Sequence, residues 1–129
     1  MANGAYEELR ATAAVANGAI AEAAPAAGAM DKTFGRIVRS IEVRLAALVT
    51  SGTPTAVTGT IYIRRTGGTV VPWLTVVIPV ATDAISGTPP IIQLPDCYAE
   101  AVSWKFASFT AGTAPAIVSF DFDVAVLDP

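Results

Sequence analysis

The chain has 129 residues, 53% of them hydrophobic and only 15% charged, with a formal net charge of −3, one cysteine and no histidine. Without histidine it lacks the commonest metal ligand and the usual general base near neutral pH, and a lone Cys97 excludes an intrachain disulfide. An acidic balance leaves no electrostatic footprint for nucleic acid, and charge this sparse, against an average of about 25%, favours a subunit that hides part of its surface in an assembly.

Residues 1–33 are dominated by alanine, and Ala5 to Ala16 is expected to form a short helix stopped by Asn17-Gly18. After Met1, Tyr6, Leu9 and Val15 are the only bulky apolar side chains before Ile20, so the segment buries little area by itself. Ala23 to Ala29 reads as a flexible or extended stretch. The expected organisation is therefore an N-terminal arm over 1–33, partly helical or extended, followed by a β-sandwich domain over 34–129. Small apolar residues suit an arm that lies in a groove of a neighbouring subunit and orders on assembly. On that reading, deletion of residues 1–30 leaves a folded β domain that no longer attaches. The opening lacks the basic start and compact apolar core of a secretory signal, so export is not expected. The uncharged stretch Thr66 to Thr82 is shorter than about 20 residues and is broken by Gly67, Gly68, Pro72 and Pro79, so no membrane span is expected.

From Arg36 onward the hydrophobic period is two. Ile41, Val43 and Leu45 alternate with Ser40, Glu42 and Arg44, and Val57, Ile61 and Ile63 are expected to face inward on the next strand. Thr66-Gly67-Gly68-Thr69 reads as a tight hairpin, since paired glycines supply positive φ. Val70 to Val80 is apolar on both faces, with Val71, Trp73 and Val77 assigned to one of them. Two-sided apolarity fits either a central strand covered on both sides or a core strand whose outer face meets another chain. Pro72 and Pro79 cannot donate to a ladder, so an edge or bulged strand is expected, a natural joint in an oligomer, with core packing at Trp73 as the alternative. Pro90 to Pro95 gives a short strand. Tyr98 to Phe109 places Val102, Trp104 and Phe106 inward, and the last strand places Val118, Phe120, Phe122, Val124 and Val126 inward. Three similar tracts, Ser51-Gly52-Thr53-Pro54, Ser86-Gly87-Thr88-Pro89 and Ala111-Gly112-Thr113-Ala114-Pro115, read as corners between strands. The expected fold is all-β, an antiparallel β-sandwich or jelly roll with an Ala-rich N-terminal arm or short helix.

Chemistry-bearing constellations are few. Asp121 and Asp123 share a strand face about 7 Å apart, a spacing open to a calcium ion or a carboxylate pair, although alternating carboxylates also serve simply to solvate a face. Cys97 has no histidine partner and reads as a small buried hydrophobe. None of Ser51, Ser86 or Ser108 sits in a nucleophile elbow. No catalytic, cofactor or metal residues are assigned, and an enzyme is not expected.

The Ala-rich arm, the single small β domain and the run Phe109-Thr110-Ala111-Gly112-Thr113-Ala114-Pro115-Ala116-Ile117-Val118 leading into an alternating strand resemble small tailed-bacteriophage virion proteins, most of all head decoration or cement proteins. The resemblance implies a protein assembled in the host cytoplasm and carried on the virion. There it binds the outside of the head shell as a homotrimer, with itself and a major capsid protein as partners and neither nucleic acid nor membrane. Tyr6, Leu9, Val15 and Ile20 of the arm, with Val71, Trp73 and Val77, are then the candidate interface. The competing readings are a carbohydrate- or receptor-binding module of a tail or fibre, stacking on exposed Trp73 or Tyr62, and another head-tail structural subunit. Two Asn and one Gln in the whole chain are few for a sugar site.

Overall fold

A computed structural model describes residues 5–11, 14–15, 20–81, 84–85 and 90–127. Nine strands occur among the described residues: β1 (Glu7–Ala11), β2 (Lys32–Val38), β3 (Ile41–Ser51), β4 (Ala56–Arg65), β5 (Val70–Ala81), β6 (Ala84–Ile85), β7 (Ile91–Leu94), β8 (Ala99–Thr110) and β9 (Ala116–Val126). Two four-stranded antiparallel sheets result, in the orders β1-β9-β3-β7 and β2-β8-β4-β5. The two-residue β6 joins them by pairing Val49 of β3 and Val80 of β5.

This corrects the expected combination of a sandwich or jelly roll with an Ala-rich arm or short helix, because no helix occurs among the described residues. Residues 7–11 of the expected helix are instead an edge strand on β9, and Val15 continues that line through a bridge to Ile117. Alanine's helix propensity is a weak prior that tertiary pairing overrides. Here the free edge of β9 offers unpaired backbone groups, and a short isolated helix with a thin apolar face cannot compete. The expected helix stop at Asn17-Gly18 and the turn tract at 86–89 lie outside the described residues.

The pairing is nested around the β4–β5 hairpin. β4 pairs β5, β3 pairs β7, β2 pairs β8 and β1 pairs β9, so one long hairpin wraps over itself and its strand pairs divide between the two sheets. The hairpin is set locally: Gly67 and Gly68 have φ of 92° and 85°, and the Gly68 N–H donates to the Arg65 carbonyl at 2.9 Å. Two of the repeated turn tracts dock on each other. The Thr113 N–H donates to the Gly52 carbonyl at 2.9 Å, and a Cβ on Gly52 would lie 2.4 Å from the Thr113 carbonyl oxygen. Both the positive φ and the close backbone approach therefore require glycine there.

The core lies between the sheets and is aromatic at its centre. Trp104 of β8 meets Phe122 of β9 edge to face at 5.1 Å, and Phe106 meets Phe120 at 5.0 Å, so each sheet supplies half of each pair. Gly59 is the floor under Trp104, since a Cβ there would stand 2.1 Å from the indole ring. The inward assignments of Val57, Ile61, Ile63, Val102, Trp104 and Phe106 match this core. Two register slips change others. On β9 the slip between Val49 and Thr50 gives the inward place to Ile117 and turns Val118 out, against its expected inward position. On β5 a bulge between the rungs Ile61–Leu74 and Tyr62–Pro72 puts Val71 beside the core, so Val71, Trp73 and Val77 do not share one face.

Candidate functional site

Three surfaces concentrate the side chains singled out by the sequence. The first is formed by the described residues between 5 and 31, which lie along one open side of the two-sheet stack. Leu9, Val15 and Ile20 are buried in the same core as the strands, packed within this chain. Between them and β2, the exposed edge of β8 is satisfied group by group. The Trp104 N–H donates to the Asp31 carboxylate at 2.9 Å, and the Trp104 carbonyl accepts from Arg10 at 3.0 Å. The Phe106 N–H donates to Glu22 Oε1 at 2.8 Å, while the Phe106 carbonyl accepts the Glu22 N–H at 3.0 Å. Arg10 grips Glu22 with two bonds of 2.7 Å and lies over the rings of Phe106 and Phe120. Burial works to raise the Glu22 pKa, but the Arg10 bonds, the Phe106 amide and the nearby charges of Arg10 and Lys105 together hold it below the usual carboxylate value.

The second surface is the outer face of the first sheet. The Tyr6 hydroxyl donates to Glu42, the Gln93 amide donates to the same carboxylate at 3.1 Å, and Arg44 lies over the Tyr6 ring at 4.0 Å while bonding Asp123 at 2.8 Å. The hydrogen bond to Glu42 raises the Tyr6 pKa, and the bonds from Tyr6 and Gln93 lower that of Glu42. Asp121, two residues from Asp123 on β9, has its pKa raised by desolvation and by the Asp123 charge. The Asp121/Asp123 pair is thus drawn into an arginine-centred network, and among the described residues no group of three or more Asp, Glu, Cys or His is placed to hold a metal ion. Cys97 is buried, its thiol directed at the carbonyls of Val38 and Arg39.

The third surface is β5, the outermost strand of the second sheet. Over Val70 to Pro79 its inner edge pairs with β4, and among the described residues only the end at Val80–Ala81 has a partner on the other edge, β6. Val77 is 61% exposed on the outer face opposite Thr58, and Leu74 is 41% exposed on the core side opposite Ile61. Trp73 sits in the bulge, 37% exposed, with the Arg65 guanidinium over its ring at 5.4 Å. That cation occupies one face of the indole, which weakens Trp73 as a stacking platform for sugar.

The structure therefore brings Tyr6 into the polar network, Leu9, Val15 and Ile20 into the core, Val71 to the core margin, and Trp73 and Val77 to the open edge. Sequence reasoning missed Arg10, Glu22 and Asp31, three of the six charges in the alanine-rich segment 1–33, the others being Glu7, Glu8 and Lys32. Charges so placed need partners, and here they find the edge of β8. Comparison with known families and with characterised proteins finds neither a family model nor a protein that matches this chain.

Proposed function

We propose that this chain is a virion structural subunit of a tailed bacteriophage that decorates and stabilises the head shell, binding both copies of itself and a major capsid protein. The observation that carries the reading is the outer edge of β5, which over Val70 to Pro79 has no partner strand among the described residues. It has no charged residue from Thr66 to Thr82 and exposes apolar side chains on both sides of its sheet, an arrangement suited to a contact between subunits. The turn and strand from Phe109 to Val118, which resemble those of phage decoration proteins, supply the virion context. Low charge and a Thr-rich surface fit a protein whose attachment sums many modest contacts repeated around a shell.

The test mixes the purified full chain with expanded and unexpanded head shells of its virus and follows cosedimentation and shell melting. Saturable retention on expanded shells with a raised melting temperature is expected. Failure to bind either form overturns the reading.

A further inference from the structure

We infer that β5 of one copy pairs edge to edge with β5 of a second copy, antiparallel and about a twofold axis at Val76, with Thr75 opposite Val77. The inference rests on the proposed copy-to-copy joint and not on the shell.

The backbone sets the register. In an antiparallel ladder, residues alternate between turning their N–H and C=O toward the partner strand and away from it. The Val80 N–H donates to the Thr55 carbonyl at 2.9 Å, so the rung Ala56–Pro79 turns the backbone of Pro79 outward. At the hairpin end the Arg65 N–H donates to the Thr69 carbonyl at 2.8 Å, which by the same alternation turns Pro72 outward at the rung with Tyr62. Both prolines thus place their missing N–H on the open edge, where a proline is tolerated. Between them Thr75 and Val77 alternate outward and keep both a donor and an acceptor. The open stretch is further limited by the bulge at Pro72–Leu74 and by β6 at Val80–Ala81.

A second copy with Thr75 opposite Val77 matches four N–H groups to four carbonyls and leaves both prolines outside the paired rungs. Sliding the copy to put Val77 opposite Val77 sets the Pro79 ring against the Thr75 carbonyl. A partner lying on the outer face would cover Val77 but not Leu74, whereas an added strand covers both. A copy of β5 is the matching occupant because the stretch is neutral, so two copies of a chain with net charge −3 meet where neither carries charge. The prolines and β6 end the pairing after a few residues, so it closes as a dimer and does not propagate.

The test uses two full-length variants, Thr75→Cys and Val77→Cys, both at exposed positions and in a chain whose own thiol, Cys97, is buried. Opposed residues of an antiparallel pair lie about 5.5 Å apart at Cα, within disulfide reach, whereas Thr75 and its own copy are offset by two residues and lie about 8 Å apart, beyond it. Under mild oxidation the mixture should give a disulfide-linked heterodimer, while each variant alone and the unsubstituted chain stay uncrosslinked. No crosslink in the mixture, or crosslinking of either single variant to the same extent, overturns the pairing. Shell binding that fails while the mixture crosslinks overturns the decoration reading alone.

Discussion

At the scale of single residues, space and charge decide most outcomes. Gly59→Ala drives a methyl into the Trp104 ring, and it is expected to cost about 2 kcal/mol in denaturant unfolding, within the range for overpacking. Gly28→Ala meets open space and should change stability by less than about 0.5 kcal/mol, so equal effects of the two would show that the Trp104 contact is misplaced. The Arg10–Glu22 pair is mostly enclosed, with side chains 17% and 19% exposed, so Glu22→Gln should cost about 2 kcal/mol, between exposed and fully buried pairs. Glu22 has a lowered folded pKa, so its contribution is present above the unfolded value and is lost as pH falls through the folded one. Asp121 behaves oppositely. Its folded pKa is raised, so its ionised form opposes folding above that value and protonation relieves it. Asp121→Asn should therefore raise the melting temperature at pH 7 and leave it unchanged at pH 3; a lowered melting temperature at pH 7 would contradict the repulsion from Asp123.

At the scale of elements, the N-terminal segment contributes Leu9, Val15 and Ile20 to the core. Leu9, Val15 and Ile20 each bury an apolar side chain worth about 2 kcal/mol, and Arg10, Glu22 and Asp31 satisfy the open edge of β8. Removing residues 1–30 takes away a large share of a domain stability of about 5–15 kcal/mol. The truncated chain should lose its cooperative melting transition, and a sharp transition near that of the full chain would show that the segment is dispensable. The positions of β3, β4, β8 and β9 were readable from period-two alternation, because one side of each strand faces a single core, and that of β5 from its charge-free apolar run. The N-terminal segment was not, because Glu7-Glu8-Leu9-Arg10-Ala11 has Leu9 as its single bulky apolar residue and so carries neither period, and the choice between helix and strand was made by a distant edge on β9. The bulges at Val118 and at Trp73 were equally hidden: an extra residue in a ladder leaves no compositional trace, yet it moves every later side chain to the other face.

At the scale of the whole molecule, the same economy of charge that marks the sequence shapes its surfaces. On the first sheet Tyr6, Glu42, Gln93 and Asp123 are gathered into one network with Arg44, while Arg10 and Glu22 of the N-terminal segment close one side of the core and β5 of the second sheet is left neutral. Of the candidate interface, the apolar strand with its two prolines was legible in the sequence, since edge prolines and a charge-free run are local features. The separate fates of Val71, Trp73 and Val77 depended on the bulge. The most direct measurement is the solution mass of the full chain by light scattering, beside that of Val77→Lys, which places a charge on the open edge. Twice the chain mass for the unsubstituted protein and a single chain mass for Val77→Lys are the expected results. A monomer in both cases, or an oligomer that Val77→Lys leaves intact, would contradict the assignment of β5 as the joint between copies.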